Sequence, residues 1–206
     1  MDDFAASISE FLYATGFERA TIAGHSLGGA IAMQFAYRFP DQAQRLVLIS
    51  SGGLGRQVHF VLRGATLPGI RSALRFAVNR NTMRVYDRPR VLKSLRIAPD
   101  AAVNIRRIGR SLGLPDTRRT FFAALNSVIE FGGQRGSMIE MDMLARQLPT
   151  LIVWSDQDPI IPVSHAYATH EHLPGSRLEL FGGRSHEPHR KRAARLAEVL
   201  AEFVAT

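Results

Sequence analysis

Apolar positions recur at helical spacing at the start of the chain, where Phe4, Ile8, Phe11 and Leu12 fall at i, i+4, i+7 and i+8. That spacing predicts a helix with one buried face, stopped at Gly16, the residue type that most easily takes the left-handed conformation of a helix end. Ala20 to Gly24 reads as a short buried strand, Ser26 sits at the turn after it, and Leu27 to about Phe39 predicts a helix ended by Pro40. Leu46-Val47-Leu48-Ile49 is a continuous apolar run bounded by Ser50-Ser51-Gly52-Gly53, as expected of a strand covered on both faces. From about Gly55 to Glu140 the strand pattern gives way to helical faces, the best being Phe121, Phe122, Leu125, Val128 and Ile129, and Pro89, Pro99 and Pro115 divide the stretch into short helices. Strands resume at Leu151 to Trp154 and Arg177 to Leu180, separated by a helix around Ser164 to His172, and a last helix is expected to bury Leu196, Val199, Leu200, Phe203 and Val204. This alternation predicts an α/β fold, a mostly parallel sheet with a helical insertion: a first core segment 1–54, a helical cap 55–140 and a second core segment 141–206.

Composition narrows the chemistry. The 206 residues are 46% hydrophobic and 21% charged, the proportions of a chain able to bury a core, and the absence of cysteine removes disulfides, thiolate metal sites and cysteine nucleophiles together. No apolar run approaches the ~18 residues of a membrane span, and Met1-Asp2-Asp3 is acidic where a secretory signal would be basic, so a cytoplasmic protein with no membrane partner is expected. The formal charge is +8, unevenly placed: residues 51–140 carry fifteen Arg and one Lys against five acids, whereas the rest carries ten basic against thirteen acidic residues. The basic segment invites a nucleic-acid reading, but its arginines are scattered over several predicted helices with no accompanying motif, and 24 Arg to 2 Lys points to a compositional bias. No nucleic-acid partner is therefore expected; Arg63, Arg71 and Arg75 are instead candidates to attract a carboxylate-bearing substrate.

Gly24-His25-Ser26-Leu27-Gly28-Gly29 fits G-x-S-x-G at the junction of a predicted strand and helix, the context that makes the pattern specific. A serine on so tight a turn projects its hydroxyl from the sheet, small residues two positions either side let strand and helix approach, and the N–H of Leu27 at the helix start can face a developing oxyanion. The pattern lacks the Lys-Ser/Thr ending of a nucleotide loop. A serine hydroxyl needs a base, and of seven histidines His186 has the position: it follows the last predicted strand and precedes Pro188, a good first-turn residue of the last helix, on a loop at the sheet's carboxyl edge. His189 is the reserve, His25 should point away from Ser26, and His59, His165, His170 and His172 read as surface or loop residues. Trp154-Ser155-Asp156-Gln157-Asp158-Pro159 supplies the carboxylate. Asp158 is favoured because it lies further from the strand end with Pro159 and Pro162 behind it, whereas Asp156 can cap the turn through its own side chain. The order Ser26, Asp158, His186 is the nucleophile, acid, histidine order of one particular sheet fold.

At these residues the sequence resembles the α/β-hydrolase superfamily, specifically its capped serine hydrolases with the Gly-His-Ser-Leu-Gly-Gly elbow, such as carboxylesterases, meta-cleavage-product hydrolases and cofactor-free perhydrolases. The likeness covers residues 1 to about 53 and 145–206, and the position of Asp158 carries that family's catalytic acid. Serine at the elbow disfavours haloalkane dehalogenases and epoxide hydrolases, which use aspartate there. The resemblance implies hydrolysis of carboxylic esters or related small acyl substrates through an acyl-enzyme, with no metal or organic cofactor, and an apolar pocket for which Phe60, Leu67, Phe121 and Phe122 are candidates, core packing being their ordinary fate. In complete members several strands and helices precede the helix that begins here at Met1, and a turn among them supplies the second oxyanion donor. An N-terminally shortened hydrolase is therefore expected, with Leu27 as the one identifiable donor; loss of such a donor costs ~100- to 1,000-fold in rate. Its elbow strand would expose unpaired backbone, with self-association through that edge. The alternative is a weakly active or inactive homologue serving as a binding module.

Overall fold

The computed structural model describes residues 2–67, 69–70, 111, 113–134 and 148–205; Arg71, Arg75, Pro89, Pro99 and the expected boundary at 140–141 lie outside them. The chain divides into two compact units, Met1–His59 with Gly132–Thr206, and Phe60–Phe131. The larger opens with α1 (Asp2–Thr15), β1 (Ala20–His25), α2 (Leu27–Arg38), a short 3-10 turn at Pro40–Gln42 and β2 (Ala43–Ile49). The smaller contains α3 (Phe60–Gly64), α4 (Pro115–Val128) and the short strand β3 (Ile129–Glu130). The larger then resumes with β4 (Gly133–Gln134), β5 (Thr150–Ser155), α5 (Ser164–His172), β6 (Arg177–Phe181), α6 (Pro188–Lys191) and α7 (Ala193–Ala205).

Four strands form one parallel sheet in the order β1-β2-β5-β6. One register line runs across it through Gly24, Leu48, Ile152 and Leu178. The continuous apolar runs are explained by burial of β2 and β5 on both faces. Val47, Ile49, Leu151, Val153 and Phe181 pack on Leu196, Val199 and Phe203 of α7, while the alternate residues Leu48, Ile152 and Trp154 are fully buried on the other side of the pleat. Each of those three α7 side chains contributes about 1.5–3 kcal/mol by leaving water. Val204, expected in the same stripe, is 49% exposed, because it stands one residue, or about 100° of helix, beyond Phe203.

On the β1 side, Ala5 and Leu12 of α1 pack with Phe35, Ala36 and Ala43, and Ile8 is partly buried against them. Phe4 and Phe11, predicted in the buried face, are 49% and 63% exposed. The buried stripe runs through positions 5, 8 and 12, so the residues one place earlier rotate towards solvent. Among the described residues β1 pairs with β2 alone.

The helical reading of 55–140 is corrected at its end. α4 stops at Val128, Ile129 takes extended backbone at φ −126° and ψ 138°, and Gly133 has φ +129°, a conformation that suits glycine. Within the smaller unit Phe122 and Leu125 are buried, whereas Phe60, Leu67 and Phe121 are exposed. Arg63 donates from Nε to the Phe131 carbonyl at 2.7 Å and lies over the Phe131 ring. Among the described residues no helix is long and apolar enough to cross a membrane.

Candidate active site

Ser26, Asp158 and His186 leave the carboxyl ends of β1, β5 and β6, the edge where open α/β sheets place their ligands. Their backbones are set first. Ser26 has φ 54° and ψ −119°, a region that costs a non-glycine residue about 1–3 kcal/mol and persists only where the surroundings over-determine it. Three hydrogen bonds do so: the Ser26 N–H donates to Ile49 O at 3.0 Å, and its carbonyl accepts from Gly29 N at 3.0 Å and Gly52 N at 2.8 Å.

The glycines around the serine are not equivalent. A Cβ on Gly24 would run into the Gly28 carbonyl oxygen and come within 2.6 Å of Gly29 Cα, so strand and helix touch backbone to backbone there. A Cβ on Gly29 would overlap the Ser51 side chain, whereas one on Gly28 would meet nothing within 4 Å. The close approach thus needs Gly24 and Gly29, and the expectation that Gly28 must also be small for clearance does not hold. Leu27 is the first residue of α2, so its N–H has no acceptor within the helix and lies at the positive end of the helix dipole.

Asp158 has a side chain with no solvent exposure. Its Oδ1 accepts from Ile160 N at 2.8 Å and Ile161 N at 3.1 Å, and Trp154 Nε1 ties the same loop to its strand through Ile161 O at 3.1 Å. His186 Nδ1 lies 2.8 Å from Asp158 Oδ2 and 3.1 Å from Oδ1, and its Nε2 lies 3.0 Å from Ser26 Oγ. A carboxylate only accepts, so Nδ1 carries the proton, leaving the Nε2 lone pair to accept from the Ser26 hydroxyl. The three residues singled out from separate stretches of sequence therefore form one hydrogen-bonded line.

Other expectations shift. Asp156, read as a cap of its own turn, instead accepts from Gly183 N at 2.8 Å and so holds the histidine loop. His25 Nε2 lies 2.7 Å from the His186 carbonyl oxygen, and burial holds the His25 pKa below the usual 6.5. His189 packs against His25 with tilted rings whose centroids are 4.4 Å apart. His165, expected at the surface, is buried with Ala166 and Thr169 on the inner face of α5; a Cβ on Gly55 would come 2.8 Å from its Nε2, and burial lowers its pKa from 6.5. Gln134, which no sequence pattern marks, is buried and accepts from Gly53 N at 2.7 Å while donating to Gln57 O at 3.2 Å, fixing the loop that also donates to the Ser26 carbonyl.

Residues 1–192 match the sequence profile of the alpha/beta hydrolase fold, and the chain belongs to that family. It is 33% identical, over 98% of its length, to an uncharacterized protein of Mycobacterium tuberculosis, of which it spans 61%. Among solved structures it resembles a meta-cleavage product hydrolase from Pseudomonas fluorescens, with a TM-score of 0.69 at 20% identity over 99% of this chain and 71% of that one. A thermophilic esterase gives a TM-score of 0.66 at 24% identity, over 99% of this chain and 72% of that one.

Proposed function

We propose that this chain is a serine hydrolase acting on carboxylic esters or related small acyl substrates. One observation carries the reading: the unbroken hydrogen-bonded line from Ser26 Oγ through the His186 ring to the solvent-excluded Asp158 carboxylate. His186 Nε2 takes the hydroxyl proton as Ser26 Oγ attacks the acyl carbonyl, and Asp158 holds the imidazole tautomer and stabilises the imidazolium. The oxyanion develops beside the N–H of Leu27. Collapse expels the alcohol, which takes its proton from His186, and leaves an ester on Ser26. Water, deprotonated by the same ring, attacks that ester, and collapse breaks its bond to Ser26 Oγ, which takes the proton back from His186 as the acid leaves. This sequence of steps calls for no metal or organic cofactor. Membership of a hydrolase family supports the reading, as does the likeness to folds that carry ester hydrolysis and meta-cleavage product hydrolysis.

The test is turnover of short p-nitrophenyl esters by the purified chain and by Ser26→Ala. Wild-type kcat/KM is expected to exceed that of the variant by at least ~1,000-fold, since removing the nucleophile disables the residues that act as a unit. Equal turnover in the two proteins overturns the proposal and favours the binding-module alternative.

A further inference from the structure

We propose that His25 is a positioning residue that tethers His186 to the strand carrying the nucleophile. The role rests on the serine-hydrolase reading for its effect on turnover, but the tether itself is a statement about geometry. His25 is the last residue of β1, and Ser26 is its chain neighbour. Its Nε2 meets the main-chain oxygen of His186 at 2.7 Å. A carbonyl only accepts, so Nε2 must carry the ring proton. The ring packs against His186 with centroids 5.0 Å apart and against His189 at 4.4 Å, both tilted, so ring contacts add to the hydrogen bond at its tip.

The connections close a short ring. From the Ser26 main chain the path runs to His25, across the Nε2–H to the His186 carbonyl, out along the His186 side chain, and back across 3.0 Å to the Ser26 hydroxyl. The alternative route between the two residues crosses three strand pairings, β1 to β2, β2 to β5 and β5 to β6. Small displacements add along a long route and are cancelled by a short closed one. Asp158 fixes the imidazole's rotation, Asp156 holds the start of the loop at Gly183, and His25 fixes the main chain at His186 itself.

Burial is the leading cause that lowers the His25 pKa; the hydrogen bond to the His186 carbonyl and the nearby Glu187 oppose it, and the neighbouring imidazoles of His186 and His189 reinforce it. A neutral tether suits its place. It fixes the base without setting a second positive charge beside the imidazolium formed during acyl transfer.

The first test needs no turnover. Ring-nitrogen NMR of the unmodified chain is expected to show His25 as the Nε2–H tautomer; an Nδ1–H tautomer overturns the tether. The second compares His25→Phe, which keeps a ring but no donor, with His25→Gln, which restores an N–H at similar reach. Amide exchange at Gly183 and Glu187, whose N–H groups are bonded to Asp156 Oδ1 and Ser185 Oγ, is expected to quicken in His25→Phe and recover in His25→Gln. With ester substrate, kcat of His25→Phe should fall ~10- to 100-fold, the scale of a displacement of about 1 Å at a reacting group, with KM little changed and most of kcat regained in His25→Gln. Unchanged exchange and kcat in a folded His25→Phe, or a folded His25→Gln as impaired as His25→Phe, overturns the proposal. A wild-type chain without Ser26-dependent turnover refutes the hydrolase reading alone, because the tautomer and the exchange rates still decide the tether.

Discussion

The two sides of the sheet hold their site residues by different means. Ser26 leaves β1, which pairs with β2 alone among the described residues, and its shape is set by backbone: three hydrogen bonds and the contact of Gly24 with Gly28. Asp158 and His186 leave β5 and β6, where α7 closes the face with Leu196, Val199 and Phe203. The serine side is covered by a separate cluster in which Ala5 and Leu12 of α1, with Ile8 partly buried, meet Phe35 and Ala36 of α2, while Phe4 and Phe11 turn outward. A strained, tightly placed turn thus needs constraints beyond apolar cover, even where α1 and α2 supply that cover beneath it. Local hydrogen bonds and steric closeness over-determine it, while apolar area secures the loops whose side chains must reach across.

This contrast can be broken on either side. The largest effect on stability is expected from Phe203→Ala, which empties a buried position on the α7 side and should cost about 3–5 kcal/mol in denaturant unfolding. Gly24→Ala comes next, at about 1–3 kcal/mol, because its Cβ must push the Gly28 carbonyl aside. Unlike Phe203→Ala, it should also lower ester turnover by ~100-fold while the chain remains folded, since the displacement is passed to Ser26. Gly28→Ala, two residues beyond the serine, should instead gain about 0.5–1 kcal/mol, as a helical glycine with open space around its missing Cβ. Phe11→Ala should stay within about 0.5 kcal/mol, as for other exposed positions. A Gly28→Ala variant as damaged as Gly24→Ala, or a Phe11→Ala variant as unstable as Phe203→Ala, would erase the contrast.

The parts legible in the sequence are those that local pattern encodes. Apolar runs marked β2 and β5 because strands covered on both faces admit little else, and the glycine-flanked serine marked the elbow because only a tight strand-to-helix turn needs that spacing. Asp158 and His186 were singled out by residue type together with their place after strand ends. Illegible were the features decided by which partner lies opposite. Phe4 and Phe11 have helical spacing, but whether a stripe is buried depends on its rotation against α2, which periodicity does not fix to within 100°. The His25 contact joins residues 161 apart in the chain, and the Asp156 contact joins residues 27 apart; neither leaves a local mark. His165 looked like any helical histidine, because its burial and its closeness to Gly55, a residue from another segment, leave no local mark.

The central claim is that Ser26 carries the acyl group, and rapid-quench mass spectrometry with peptide mapping after mixing with a short p-nitrophenyl ester reads it directly. One acyl group per chain is expected, located on Ser26, appearing together with a stoichiometric burst of p-nitrophenol and absent from Ser26→Ala. A burst with the acyl group on another residue, or release of p-nitrophenol that persists at the same rate in Ser26→Ala, would contradict it.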